Sequence, residues 1–322
     1  MGYLDNGVWH EGWYDTAKSR GEFERPPTSF HERVTADGSS GFPAAPGRYR
    51  LYVSYACPWA SRALALRKLK KLEQVIPLSV VDPVMGAQGW AFSAEFPDDA
   101  NGFGHLHELY TAARPDYSGR VTVPVLWDSQ RRTIVNNESA EIIRMLDSEF
   151  YAFTDVRTDY YPPALRKEID EINDYVYERV NNGVYRCGFA GTQEAYERAF
   201  DRLFEGLDAL EARLEGQRYL AGDRLTEADW RLFTTLVRFD AVYYVHFKCN
   251  LRRIEDYPNL SNYLRELYQV DGIAETVDMD HIKRHYYLSH EHINPKGIVP
   301  KGPALDFARP HDRARLAAAR AA

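Results

Sequence analysis

The residues SYACPWASR, Ser54 to Arg62, stand where a short β-type run at 50–54 gives way to a helical pattern rich in Arg, Lys and Leu. A cysteine at that junction lies near the positive end of a helix dipole and beside backbone N–H groups that no turn of helix has yet satisfied. Both favour the thiolate. Pro58 suits the first helical position, because its missing N–H needs no partner there and its φ is already helical. Ala60 occupies the place where a Cys-x-x-Cys motif would carry its second thiol. A disulfide formed at Cys57 must therefore be resolved by an outside thiol. The competing reading of Cys57 is a small buried hydrophobe, and that reading is preferred for Cys187 and Cys249, which lack such a setting.

Working outward, RYRLYVSY reads as a strand, 61–72 as a helix and VIPLSVVD as a second strand, which makes a β-α-β unit. Residues 83–118 are loop-like, with one helix expected over 105–113, and an irregular stretch of that length is often functional. RVTVPVLWDSQRRTIVNN gives two short strands around a turn, and ESAEIIRMLD has helical apolar spacing. Residues 1–45, punctuated by Gly, Pro, Ser and Thr, read as an extended arm whose aromatics Trp9, Trp13, Tyr14 and Phe23 pack onto the body. After Tyr161-Pro162-Pro163 helical periodicity dominates, over 165–180, 195–214, 227–244 and 260–270. The expected organisation is an arm (1–45), an α/β domain (46–155) and an all-α domain (165–322). The terminal RARLAAARAA is expected to be frayed or disordered.

The 322 residues suffice for two domains, and 44% hydrophobic content supplies ordinary cores. A net charge of -7, with no basic stripe interleaved with aromatics, argues against a nucleic-acid partner. The basic cluster Arg67-Lys68-x-Lys70-Lys71 reads as a solvated helix face. No apolar run approaches the length of a membrane span, and the N-terminus lacks a basic region leading into an apolar one, so a cytoplasmic protein is expected. Three widely separated cysteines do not make a disulfide framework.

Two further patterns bear on the thiol. Val123-Pro124 stands at the mouth of a strand, in the register where a thioredoxin-like domain places a cis-proline loop opposite its cysteine. The backbone of Val123 would there meet an extended peptide-like ligand. A proline at the start of an edge strand is the simpler alternative. In NNESAEIIRML, Glu138 and Ser139 open a helix and offer an anion site beside a carboxylate. A γ-glutamyl group, with its α-carboxylate and α-ammonium, needs both.

With these residues in view the chain resembles the glutathione transferase superfamily: a thioredoxin-like N-terminal domain followed by an all-α domain. LTEADWRLF (225–233) adds a capping box, Thr226 to Asp229, of the kind that superfamily carries in its helical domain. YACPWA, GWAF (89–92), GRVTVPVLWD (119–128), NNES (136–139) and NNGVYRCGFA (181–190) narrow the resemblance to the glutathionyl-hydroquinone reductases, also called Xi-class glutathione transferases. The resemblance implies Cys57 as nucleophile and Trp90, Arg120, Val123, Glu138 and Ser139 as glutathione contacts, Val123 through its backbone. It further implies Tyr185, Tyr243 and Tyr286 lining an aromatic substrate pocket, with Tyr185 also catalytic. Tyr243 and Tyr286 each belong to a Tyr-Tyr pair whose other member could face inward. Glutathione as co-substrate, glutathionylated aromatic quinols as substrates and a homodimer follow by the same resemblance.

Two other functions remain open on the sequence. A general glutathione-dependent thiol transferase or dehydroascorbate reductase would also use one cysteine, although Trp90 and NNGVYRCG favour the hydroquinone reading. A non-catalytic interaction protein of the same fold would require Cys57 to be unreactive. The histidines His281, His285, His290 and His292 cluster, the first two spaced i, i+4, but neither Asp280 nor Glu291 falls at a recognised ligand spacing and two of the four follow a helix end, so a solvated or pocket-side cluster is expected rather than a metal. No Gly-rich phosphate fingerprint is present, and a nucleotide cofactor is not expected either.

Overall fold

The structure, a computed structural model, describes residues 2–319. The chain forms two compact units: one comprises the residues up to Trp13, Pro26–Thr158 and Glu275–Val299, the other Tyr14–Arg25, Asp159–Ala274 and the residues from Pro300 onward. The arm is thus divided between the units, and 275–299, expected within the helical domain, belongs to the α/β unit.

The first unit is built on a four-stranded sheet of order β4-β3-β6-β7. Strand β3 (Tyr49–Val53) runs parallel to β4 (Leu78–Val80) and antiparallel to β6 (Val125–Asp128), which pairs antiparallel with β7 (Thr133–Asn136). Tyr49, Leu51, Tyr52 and Val53 are all fully buried. Burial of consecutive residues is what a strand covered on both faces requires. Helix α1 (Pro58–Leu69) connects β3 to β4, and α3 (Ser139–Ser148) follows β7. This is the thioredoxin-like arrangement. Helix α1 begins at Pro58, before the expected residue 61, because the proline supplies its first position.

The basic cluster at the end of α1 is not the solvated face expected of it. Arg67 Nε donates to Ile76 O at 2.6 Å, and Lys68 pairs with Glu73 and Glu275. Lys70 is buried, its Nζ 3.1 Å from the buried Asp147 of α3 and 2.6 Å from Thr158 O. Arg67, Lys68 and Lys70 are thus held against the unit, and the chain reverses at Lys71, whose φ is 52°. Only Lys71 is exposed.

The arm also differs from a simple extended segment. Strands β1 (Gly2–Asp5) and β2 (Val8–Glu11) form a hairpin around Asn6 and Gly7, whose φ values of 46° and 77° suit an Asn-Gly turn of type I′. Strand β1 then pairs with β5 (Gly119–Arg120), giving a second sheet of order β2-β1-β5. Helix α2 (Leu106–Ala113) lies in the long insertion, one residue from its expected start.

Among the described residues the second unit has no β-strand. Helix α4 (Arg166–Val176) runs into a π-helical turn (Tyr177–Asn181) before α5 (Gly183–Gly188), and α7 (Glu227–Arg238) runs into another (Phe239–Tyr243). Helix α6 (Gln193–Gly216) buries Ala195, Ala199, Leu203, Leu207, Leu210 and Leu214 on one stripe. The Thr226–Asp229 box opens α7: the Asp229 carboxylate accepts from Thr226 N at 2.8 Å, from Leu220 N at 2.9 Å and from the Tyr263 hydroxyl at 2.7 Å. Helix α8 (Pro258–Tyr268) follows, α9 (Met279–Ser289) belongs to the first unit, and α10 (Ala314–Ala319) ends the described chain. The tail is not frayed where it is described: Arg313 is buried and donates to the carbonyls of Leu214, Gln217 and Arg218. The expected disorder at 320–322 falls outside the described residues.

Removing Lys70 takes a buried ammonium away from the buried Asp147 carboxylate. Lys70→Ala is expected to lower unfolding free energy by about 3–5 kcal/mol in urea titration, whereas a hydrophobic replacement of both partners is expected to cost much less.

Candidate active site

Beyond the Tyr52–Val125 pair, β3 and β6 leave the sheet at the same end, so Ser54 to Cys57 faces Val123 and Pro124. The Val123–Pro124 peptide is cis, and the Cys57 thiol donates to Val123 O at 3.5 Å. Cys57 is the N-cap of α1, with extended φ and ψ of -75° and 118°, and its carbonyl accepts the first helical bond from Ser61 N at 2.9 Å. It is partly exposed, whereas Cys187 and Cys249 are buried. That contrast favours a reactive Cys57 over a packing role.

Glu138 caps α3, its Oε1 accepting from Ala140 N at 3.1 Å, and Oε2 accepts from the Thr28 hydroxyl at 3.3 Å. Arg62, on α1, donates to Ser139 Oγ at 3.3 Å while its guanidinium lies over Trp59 at 4.5 Å. Cys57 and Ser139 are therefore linked through the start of α1. A buried tyrosine of α2 sets the spacing of the two loops. Tyr110 Oη donates to Thr122 O at 2.8 Å and accepts from Asn137 Nδ2 at 3.1 Å, one residue before Val123 and Glu138 respectively. Desolvation pushes the Tyr110 hydroxyl up to about 12, so it remains a donor throughout the neutral range.

Arg120, three residues before Val123, holds the arm. Its guanidinium donates to the carbonyls of Gly2, Gly12 and Trp13 at 3.1, 2.9 and 2.9 Å, which fastens the arm. Trp13 in turn lies 4.1 Å, ring to ring, from His292 and 5.5 Å from His290.

Helix α9 carries two residues of this site whose roles were not recognised from sequence. His281 and His285, one turn apart, share a face. His281 Nε2 lies 3.2 Å from Ser54 Oγ, and the His285 ring stacks on Trp90 at 4.7 Å, with its Nδ1 2.9 Å from Pro83 O. Trp90 is thereby held between its own loop and α9. The i, i+4 histidine pair was visible in the sequence, but nothing local showed what it would meet. Among the described residues no group of three or more His, Cys, Asp or Glu side chains gathers as a metal site.

The three tyrosines separate by unit. Tyr286 is in the first, 1% exposed, with its ring 5.5 Å from His290; its neighbour Tyr287 is buried as well. Tyr185 and Tyr243 are in the second, 6.1 Å apart, within a cluster that includes Phe23, Phe189 and Phe247. Tyr243 is fully buried and Tyr244 partly exposed. Tyr185 keeps 8% exposure and has the Arg25 guanidinium over its ring at 4.9 Å. Gly188 permits this packing: a Cβ there would lie 2.2 Å from the Phe247 ring.

Comparison with known proteins matches residues 56–149 to the glutathione S-transferase N-terminal domain and 193–266 to its C-terminal domain. The chain is 54% identical to the glutathionyl-hydroquinone reductase YqjG of Escherichia coli, over 97% of this chain and 98% of that protein. It is also 54% identical to the glutathionyl-hydroquinone reductase PcpF of Sphingobium chlorophenolicum, over 94% and 97%. Among solved structures it resembles the Xi-class glutathione transferase of Natrialba magadii, with TM-score 0.92, 50% identity and coverage of 98% and 97%. The glutathione-bound structure of YqjG gives TM-score 0.90 at 51% identity, with coverage of 97% and 99%.

Burial lowers the His281 imidazole from 6.5 to about 4. As pH falls below 6.5 the unfolded chain takes up a proton that the folded chain refuses, so this contribution to stability is complete above 6.5 and is lost on approach to 4. Chemical denaturation at stepped pH should show a slope in that window worth at most about 3 kcal/mol, and His281→Leu should remove it.

Proposed function

The chain belongs to the glutathione transferase family, and within it to the glutathionyl-hydroquinone reductases of the Xi class, and from that premise we propose that it uses glutathione to reduce glutathionyl-hydroquinones to hydroquinones through Cys57. The observation that carries this reading is the partly exposed Cys57 thiol at the start of α1, 3.5 Å from Val123 O, with Ala60 in place of a resolving cysteine.

In a glutathionyl-hydroquinone the glutathione sulfur is bonded to an aromatic carbon. The Cys57 thiolate attacks that sulfur, the carbon–sulfur bond breaks, and the ring carbon takes up a proton as hydroquinone leaves. Cys57 is then a mixed disulfide with glutathione. A second glutathione thiolate attacks the glutathione sulfur, restores the Cys57 thiolate and leaves as oxidised glutathione. The two electrons that reduce the substrate come from the two sulfurs that end in that product.

The helix start at Cys57 favours the thiolate that attacks and the thiolate that is released. The main chain of Val123 is assigned to the glutathione backbone, and Glu138 with Ser139 to its γ-glutamyl ammonium and carboxylate, since the start of α3 supplies a carboxylate beside helix N–H groups. Trp90 is assigned a glutathione contact, and Arg120 shares in that role while it fastens the arm beside Trp13. Tyr185 is assigned to protonate or steady the quinol ring, and Tyr243 and Tyr286 to line the aromatic pocket. A phenol offers both a flat face and a hydroxyl. Of the three, Tyr185 retains the most exposure. The reading includes a cytoplasmic homodimer, to be checked by light scattering and cell fractionation. No helix among the described residues is long and apolar enough to cross a membrane.

The test is release of free hydroquinone from a glutathionyl-hydroquinone in excess glutathione. Wild type should turn over, and Cys57→Ser should lose on the order of a thousandfold or more in kcat. Absence of release by folded wild type would overturn the reading. Tyr185→Phe should lower kcat by about 100-fold, the scale of general-acid assistance, with a smaller effect on KM.

A further inference from the structure

We propose that His281 is a positioning residue for the Cys57 nucleophile and that it acts through the Ser54 hydroxyl. The inference rests on Cys57 as nucleophile, the reading given above, and adds a group 224 residues away in the chain.

Ser54 is fully buried and makes two side-chain hydrogen bonds. Its Oγ accepts from Ala56 N at 3.1 Å, which folds the chain back immediately before Cys57. Its other partner is His281 Nε2 at 3.2 Å. Oγ already accepts from Ala56 N–H, and its bond with Nε2 runs from hydroxyl to ring or from ring to hydroxyl according to the imidazole tautomer. The imidazole is kept neutral by desolvation, against the opposing charges of Asp278, Asp82 and Asp280 and with the help of Arg284. Its Nδ1 has no hydrogen-bond partner among the described residues and lies among aromatic rings, Tyr55 at 5.5 Å and Phe96 at 5.3 Å, both nearly perpendicular to it. A buried polar ring with one nitrogen unsatisfied is costly, so the single bond it does make, to the loop that carries the thiol, is the one that accounts for its presence.

The loop needs this anchor because Ser54 to Cys57 has left β3 and has not yet entered α1. Cys57 N donates to Ser54 O at 3.2 Å, so carbonyl, hydroxyl and the two following N–H groups form one tight turn. Without its partner at Nε2 the Ser54 hydroxyl can rotate and pair elsewhere. The turn then samples more orientations, and the Cys57 sulfur spends less time where α1 and Val123 place it. The effect falls on reactivity of the thiol rather than on substrate contacts.

The test compares wild type, Ser54→Ala, His281→Leu and His281→Gln by the rate of Cys57 alkylation with iodoacetamide, followed by mass spectrometry of the peptide carrying Cys57. It also measures kcat and KM for hydroquinone release. Loss of one buried hydrogen bond predicts a fall of about 5- to 10-fold in both alkylation rate and kcat for Ser54→Ala and His281→Leu. KM should be little changed, and the double variant should be no slower than either single one. His281→Gln, which keeps a polar group at the reach of Nε2, should recover most of the rate. Wild-type alkylation rates in folded Ser54→Ala and His281→Leu would overturn the proposal. So would a loss in His281→Leu that Ser54→Ala does not share and His281→Gln does not rescue, since that is the mark of packing alone. If His281→Leu does not fold, Ser54→Ala decides. A wild-type Cys57 no more reactive than glutathione would instead overturn the nucleophile assignment itself, and this proposal with it.

Discussion

The antiparallel pairing of β3 with β6, closed by Tyr52 opposite Val125, is the constraint on which the site depends. It makes two chain segments leave the sheet at one end, one toward Cys57 and the other back to Val123. Ordinary backbone geometry then brings a thiol to 3.5 Å from a carbonyl without any side chain reaching for the other. The next strand pairing, β6 with β7, puts Asn137 and Glu138 at the same end. Tyr110 ties those two exits together through Thr122 O and Asn137 Nδ2. A core tyrosine in a loop-rich insertion thus fixes the distance between the proposed peptide-like and γ-glutamyl contacts.

The arm joins this arrangement from outside the sheet. The Asn137 side-chain carbonyl accepts from Phe30 N at 3.1 Å, Thr28 reaches Glu138, and β1 adds to β5 next to Arg120. Residues 2–13 and 26–45 are therefore structural partners of the loops that carry Val123 and Glu138. That is a stronger role than aromatic padding, and it explains why Arg120 spends its guanidinium on arm carbonyls.

Much of this was legible because it is local. The end of the strand, the cysteine, the proline and the first turn of helix lie in ten consecutive residues, Val53 to Arg62, and each has a conformational preference that agrees with the next. The capping box at Thr226 and the helix start at Glu138 were read for the same reason. The Asn-Gly hairpin at 6–7 is equally local, but Gly, Pro and Ser elsewhere in the arm give the whole segment the composition of irregular chain. The π-helical turns after α4 and α7 leave no mark in apolar periodicity, which reads 165–180 and 227–244 as unbroken helices. The burial of Lys70 was hidden for a different reason. Its charge marks it for solvent, and the partners that compensate its burial, Asp147 on α3 and Thr158 O, are far along the chain.

Helix α9 shows where sequence order stops being a guide. It follows the helices of the second unit in the chain, yet its two histidines sit against Ser54 and Trp90 of the first. One face of one helix meets both the loop carrying the thiol and the indole proposed to contact glutathione. The i, i+4 spacing lets two rings act along a single face. Here the two rings meet a hydroxyl and an indole. A single-cysteine site has no second thiol to set its geometry, so its precision must come from the backbone turn beneath the sulfur and from whatever holds that turn.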